Sequence, residues 1–580
     1  MRVLKWILWL LAGLLVVAAI AVAWYWASLH PDPPSVQIWR NGQVITMDSE
    51  GTVASALAIE GDRIVAVGTD EDVEPWLSDA ELSIDLEGRA VVPGFIEAHG
   101  HFPGAGLDAV AADLSGPPVG EVVSVAQAVD ALRAVDAARP GSGWLIGFGY
   151  DDTLLTENRH LSRADLDRAS TSRPVLAIHV SGHIVAVNSV ALERFGIGAE
   201  TPNPPGGEIE KDPLTGEPSG VLFETAGRPL MLEALRLPPL DQLAVLGSAV
   251  ATYARQGFTT VQNGLATEEQ LVGLSAASKV GIIPFRIVAW PEDDLALETI
   301  DSGGTLDGYR AERMHVGAVK LVGDGSIQGY TGYLRTPYHV LGDHPEGYRG
   351  YPNIDAETMN ARVKTIHCAG YPLAVHGNGD AAIDQFLDAW EAALTACPST
   401  TARPILVHAQ MARSDQLERM RTLGVSPTFF SAHVYYWGDR HRDIFLGPER
   451  AASISPAASA QKLGLRFTTH LDTPVVPIDS ALQLWAPVAR ETSSGAILGP
   501  EERIDAERSL RAMTIDAAWQ LGLDEQLGSI EPGKSADLVI LSADPLDPST
   551  DLRSLEVERT VVAGVSIYQA TASQDGAASY

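Results

Sequence analysis

The chain has 580 residues, 46% of them hydrophobic and 20% charged, with a formal net charge of −33 at pH 7. That composition fills a sizeable core and excludes a mainly disordered protein, while so acidic a surface repels phosphate backbones and argues against a nucleic-acid partner. Its only two cysteines, Cys368 and Cys397, exclude both a disulfide-stapled scaffold and a Cys-rich zinc site.

The first feature in chain order is an uncharged apolar stretch, Trp6 to Ala27, preceded by Arg2 and Lys5. It is long enough to span a hydrocarbon core of roughly 30 Å, and Trp24, Tyr25 and Trp26 suit a membrane interface. The expected reading is an uncleaved single-pass anchor, with a cleaved signal peptide as the alternative. Both place the rest of the chain outside the cytoplasm, in the periplasm if the cell is Gram-negative, because the positive residues stay inside. His30-Pro31-Asp32-Pro33-Pro34 then reads as a short stiff linker.

Short β-like runs follow at Val36 to Trp39, Ala56 to Ile59 and Arg63 to Val67, separated by turn signals at Asn41-Gly42 and Glu60-Gly61-Asp62. A matching set closes the chain: Leu538 to Leu541 after Gly533-Lys534-Ser535-Ala536-Asp537, then Val557 to Val562. Two β-rich ends around a long middle predict one β-domain assembled from both termini. The middle alternates strands and helices, as parallel βα units do. Eight apolar runs end near His99, Val261, Val288, Lys320, His376, His408, Thr428 and His470, which predicts a (β/α)8 TIM-like barrel. The first interval is far too long for one helix, so residues from about 115 to 245 form an insertion, with a surface loop at Thr201 to Gly220. The division is then 1–34 anchor and linker, 35–92 the N-terminal portion of the β-sandwich, 93–509 barrel, 510–568 the C-terminal portion of the β-sandwich, and 569–580 a polar, disordered tail.

His99 and His101 stand at i and i+2 of a strand end, so both imidazoles face one way and reach one metal ion. An HxH alone is more often a polar surface pair. Here the other strand ends carry Lys320, His376, His408 and Asp472, and the C-terminal ends of barrel strands are where such folds assemble active sites.

With these residues in view, the chain resembles the amidohydrolase superfamily, specifically its family-3 (YtcJ-like) branch, which includes N-substituted formamide deformylases and proteins labelled as exoenzyme regulators. The resemblance covers about residues 36 to 568 and rests on PGFIEAHGH (93–101), SGHIVAVNSVAL (181–192), KLVGDGSIQGYTGYL (320–334), HGNGDAA (376–382), VHAQ (407–410), THLDTPV (469–475) and GSIEPGKSADLVIL (528–541). It implies that His99 and His101 hold one divalent metal, most simply Zn2+, and that His376 and His408 hold a second. Lys320 stands where relatives carry a lysine converted by CO2 to a carbamate, whose two anionic oxygens bridge two ions as an ammonium cannot. A salt bridge from Lys320 to Asp324 is the alternative. Asp472 is implied as a ligand of the first metal and as acceptor of the proton of a metal-activated water; the alternative is a hydrogen bond to a neighbouring loop.

Departures from the family pattern bear on the substrate. Where relatives commonly read DGSLGSRT, this chain lacks the arginine and offers Gln328 and Tyr330, which disfavours bidentate carboxylate recognition there. Phe429 to Asp439 sets Tyr435, Tyr436 and Trp437 around His433, as an aromatic-walled mouth in which His433 hydrogen-bonds an oxyanion, or else as a core segment continuing the strand. His183, in the insertion, reaches the pocket from above or is a satisfied structural histidine. His160, His179, His339, His344, His367 and His441 lack ligand-like spacing, and Cys368 and Cys397 are expected as free buried thiols.

The function expected is a membrane-anchored, metal-dependent hydrolase of a non-peptide, amide-type C–N bond in a small-molecule substrate with an apolar or aromatic portion. The alternative is a non-catalytic regulatory or sensor protein that retains the fold. A homodimer is left open.

Overall fold

The protein is described from a computed structural model, over residues 32–342 and 344–570. The expected anchor at Trp6 to Ala27 and the tail after Ala570 lie outside the described residues. Among the described residues no helix is long and apolar enough to cross a membrane.

Both chain ends build one β-sandwich. Val36–Arg40 pairs antiparallel with Ala56–Glu60 and parallel with Leu82–Asp85, and Arg63–Gly68 completes a four-stranded sheet. The second sheet joins the termini: Ala90–Pro93 lies antiparallel to Leu538–Leu541, with Ile540 opposite Val91. Side chains alternate between strand faces. Leu538 and Ile540 therefore pack with Trp39, Leu57 and Ile59 inside the sandwich, while Val539 and Leu541 enter the core of the catalytic layer. Burial on both faces is why this strand reads as an unbroken apolar run.

The catalytic layer contains two all-parallel sheets. One orders Met314–Val316, Arg286–Pro291, Phe258–Ala266 and Phe95–Ile96; the other orders Val319–Val322, Leu373–Gly377, Ile405–His408, Ser426–Phe429 and Thr468–Thr469. A parallel bridge between Glu292 and Lys320 links them on one side, and the Asp472 amide donates to the His99 carbonyl (3.2 Å) on the other. Helices separate successive strands except Met314–Val316 and Val319–Val322, which follow one another directly, and helix starts carry the caps that βα turns require: Thr267 forms a capping box with Gln270, and Asp355 caps Ala356–Cys368.

The insertion is a six-stranded sheet from Ala112 to Glu224 with Val125–Ala138 packed on it. The expected loop at Thr201 to Gly220 is corrected: Gly207–Lys211 and Pro218–Glu224 form a hairpin in which Ile209, opposite Leu222, is buried. Helix Pro239–Arg255 belongs to the catalytic layer through Leu246, Ala249 and Tyr253, so the limit expected near 245 falls inside a helix. The limit expected at 510 likewise falls inside Ala506–Met513.

A second correction concerns the cysteines. Cys368 and Cys397 are disulfide-bonded, with Cα atoms 5.5 Å apart. Consecutive helices of parallel βα units point the same way, so the ends of Ala356–Cys368 and Asp380–Ala396 come together. His367 adds a hydrogen bond from Nε2 to the Cys397 carbonyl (2.7 Å).

Candidate functional site

Three imidazoles are oriented by the same device. His99 Nδ1 donates to Gln262 Oε1 (2.8 Å), and His376 Nδ1 to Asp324 Oδ1 (3.2 Å). His408 Nδ1 donates to His470 Nε2 (3.0 Å), and His470 in turn donates from Nδ1 to Thr428 Oγ1 (2.8 Å). With each Nδ1 carrying the proton, each Nε2 keeps its lone pair, and an outer partner of this kind is how a metal-ligating histidine is fixed in tautomer and orientation.

The Nε2 atoms share one space with Lys320 and Asp472. Lys320 Nζ lies 3.1 Å from His99 Nε2. Asp472 Oδ1 lies 3.4 Å from His99 Nε2 and 3.3 Å from His101 Nε2, and its Oδ2 lies 3.7 Å from His408 Nε2. The His376 and His408 rings are 4.5 Å apart. All six expected ligands therefore come together, and all but His101 are buried.

The backbone is shaped around them. His408 and Asp472 adopt left-handed conformations, with φ of +69° and +57°, which non-glycine residues hold only where the surroundings impose it. Gly264 lies against the His99 imidazole so closely that a Cβ there would fall 2.2 Å from the ring. Trp290 stacks on the His99 ring, with centroids 5.5 Å apart.

Burial sets the charge states. It holds His99 and His408 well below the usual imidazole range and brings Lys320 down to about 7, against the pull of Asp472. Burial by itself would raise Asp472, but His99, His101 and His408 outweigh it and hold the carboxylate well below its usual range. The alternative of a Lys320–Asp324 salt bridge is not formed. Asp324 instead accepts from His376, from the amides of Asn378 and Gly379, and from the Tyr333 amide.

His183 does reach this centre from the insertion. Its ring lies 5.0 Å from that of His376, and its Nδ1 donates to Glu224 Oε2 (2.8 Å). Burial pulls His183 down, but Glu224 outweighs it and raises the imidazole above its ordinary value. Gln328 is buried with Oε1 lacking a hydrogen-bond partner among the described residues.

The segment after the seventh strand does not continue that strand. The strand ends at Phe429 and a helix, His433–Arg440, begins at His433. His433 is buried, 4.1 Å from the Phe430 ring and 6.2 Å from the His408 ring, with Nδ1 unpartnered among the described residues. Arg440 and Trp437 tie the helix to Asp151 of the insertion. Tyr436 and Trp437 line a cavity of about 380 Å³ with Leu107, Phe148, Val475 and Ile478, and it extends to Thr473, next to Asp472. Tyr330 and Tyr435 are committed elsewhere. The Tyr330 hydroxyl donates to the Val340 carbonyl (3.0 Å) beside Tyr338 and Phe445, and Tyr435 packs on Trp485 beneath Arg553.

Four residues that orient the candidate ligands, Gln262, Asp324, His470 and Thr428, were not singled out from sequence for that role; Asp324, His470 and Thr428 lie at or just past a strand end, whereas Gln262 lies in the middle of Phe258–Ala266. A second group with ligand-like spacing, Asp151, Asp152 and His179, lies in the insertion. Its members are already paired: Asp151 with Arg440, Asp152 with His179, and His179 also with Ser181.

The sequence profile of the amidohydrolase family matches residues 83–568. The chain belongs to the amidohydrolase family. It is 32% identical over 545 residues to an N-substituted formamide deformylase of Arthrobacter pascens, spanning 92% of this chain and 98% of the relative. It is 29% identical over 551 residues to the putative amidohydrolase YtcJ of Bacillus subtilis (strain 168), spanning 92% and 99%. Among solved structures, an uncharacterised metal-dependent hydrolase from Pyrococcus furiosus superposes with a TM-score of 0.68 at 24% identity, over 88% of this chain and all of the other, a likeness of fold. The enzyme is thus a hydrolase of carbon–nitrogen bonds other than peptide bonds, acting on a small molecule through an amidohydrolase-type α/β fold.

Proposed function

We propose that the enzyme is a membrane-anchored, extracytoplasmic, metal-dependent amidohydrolase that cleaves an N-substituted formamide or a closely related small amide. The observation that carries the metal centre is the inward Nε2 of His99, His376 and His408 around Lys320 and Asp472, with Asp472 Oδ1 buried and lacking a hydrogen-bond partner among the described residues. Neutral imidazoles and a carboxylate are the donors that divalent zinc takes, and His99, His408 and Asp472 each offer a ligand atom within 4.8 Å of one another. His99, His101 and Asp472 would hold one ion, His376 and His408 a second, and a carbamate on Lys320 would serve both. When bound, such ions supply a water ionised near neutral pH and polarise the scissile carbonyl.

The chain's own residues fit the remaining tasks. A lysine brought to about 7 is substantially neutral at neutral pH, and the neutral amine is the form that attacks CO2. Asp472 Oδ1 takes the proton of the attacking water, and His433 faces the developing oxyanion. The apolar or aromatic part of the substrate occupies the cavity walled by Tyr436 and Trp437. With Met314–Val316 and Val319–Val322 counted as one interrupted strand, the two parallel sheets, linked at Glu292–Lys320 and at Asp472–His99, are read as one (β/α)8 barrel with the candidate ligands at its C-terminal mouth.

The likeness to the Arthrobacter deformylase sets the assay. Purified enzyme supplied with zinc and bicarbonate releases formate and amine in equal amounts from formamides bearing benzyl-sized N-substituents. Turnover of a cyclic amide or an ester, with none of these formamides cleaved, would reject the substrate class.

The Cys368–Cys397 disulfide suits an oxidising compartment, which supports the extracytoplasmic placement. Deleting residues 1–34 is expected to release a soluble enzyme of unchanged kcat, since every candidate ligand lies beyond residue 98. In spheroplasts the full-length catalytic domain should be open to added protease; protection until lysis would reverse the orientation.

A further inference from the structure

The cavity walled by Tyr436 and Trp437 is larger than a benzyl group requires. Its inner wall is built on the backbone that carries the candidate ligands. The Gly104 amide donates to the His101 carbonyl (2.7 Å), and the Thr473 carbonyl accepts from the His101 amide (2.7 Å). Trp437 lies 5.6 Å from the His433 ring. At the other extreme the lining passes to Pro117, Pro118, Val119 and Pro477, all exposed, so the space runs from beside the centre to the surface along apolar walls. The ion pair in those walls is closed on itself: Asp151 accepts from Arg440, from the Trp437 indole, and from the Thr153 amide and hydroxyl. The other charged residues that line the cavity, Asp108, Asp113 and Arg255, are exposed. The interior therefore favours an uncharged, apolar occupant.

Size decides how much of such an occupant is needed. An apolar cavity of about 150 Å³ holds one benzene ring. This one, at about 380 Å³, has room for two. A single ring leaves the remaining space to water lying on apolar walls, and a second ring that replaces this water removes further apolar surface from solvent. We propose that the cavity selects substrates whose N-substituent is elongated, uncharged and two aromatic rings long, and that a lone benzyl group only partly fills it. This rests on the amide-hydrolysis reading above, with the apolar portion in this cavity, and adds the size and charge of that portion. The second ring touches no reacting atom. Its contribution is binding, made along walls that the insertion, helix His433–Arg440 and the segment after Asp472 supply together.

The test compares N-benzylformamide with N-(4-phenylbenzyl)formamide in the metal-loaded full-length enzyme. The two share the formyl group and the methylene on nitrogen, so they differ only in reach. The wild type is expected to favour the longer by at least about 10-fold in kcat/KM. Val180, in the insertion, lines the cavity from a half-buried position. Val180→Trp puts an indole into that space and should bring the ratio below about 2-fold. Equal wild-type turnover of the two, or a preference for N-benzylformamide, overturns the assignment without needing any variant to fold, and leaves amide hydrolysis standing. An undiminished preference in a Val180→Trp enzyme of wild-type melting temperature overturns it as well, because the second ring then lies elsewhere. Cleavage of neither formamide by the wild type would instead reject the amide-hydrolysis reading, and this assignment with it.

Discussion

An Asp472→Asn enzyme is expected to lose about 10²–10⁴-fold in kcat while keeping most of its metal. Asparagine preserves the shape of the side chain and one oxygen able to coordinate, but its amide does not take up a proton near neutral pH. The setting of Asp472 leaves it little other work. Its backbone is held in a left-handed conformation, its amide is bonded to the His99 carbonyl, and its two oxygens face three imidazoles rather than a loop. Steady-state kinetics with metal analysis of the same preparation checks the expectation, with His99→Ala as the contrast that loses metal first. Near-normal kcat with full metal in Asp472→Asn would remove the proton-accepting role and leave His433 and the activated water to carry the chemistry.

Replacing Lys320 by alanine is expected to abolish measurable activity and strip metal from the enzyme. Deleting a residue that merely orients a ligand typically costs about 10–100-fold in affinity or activity, and a bridging ligand should exceed that. Lys320 is 2% exposed, between His99 and the Trp290 ring, so its loss also opens a hole beside the ligands. Bicarbonate with a short-chain carboxylic acid, which places a free carboxylate in that hole, should restore some of the metal and some of the rate. Lys320→Met, which fills the space without a nitrogen, should not respond. A fully active wild-type enzyme whose intact mass and peptide map show only unmodified lysine under native carbonate would contradict the carbamate.

The cluster of candidate ligands was legible in the sequence because each lies within, or a few residues past, a short apolar strand. The sandwich was legible for the same reason, in the paired runs at the two termini. What orients the ligands was not. Gln262, Asp324 and His470 matter only through partners as many as 163 residues away, and no local pattern states such a pairing. The disulfide escaped because it depends on the common direction of two helices rather than on the residues around each cysteine. The hairpin read as a loop carried its signal in Glu208-Ile209-Glu210, one apolar residue between two acidic ones, too short to outweigh the neighbouring prolines and glycines. Tyr330 and Tyr435 lie in segments that do approach the site, yet a turn and a helix send their rings elsewhere, which residue type alone does not disclose.

The most direct test of the metal-dependent mechanism is formate release from an N-substituted formamide, followed through chelation and metal restoration in one preparation. The active enzyme is expected to hold about two equivalents of divalent metal per chain, to lose formate release in step with metal removal, and to recover it on addition of zinc together with bicarbonate. Undiminished formate release from protein shown to be free of metal would contradict that mechanism.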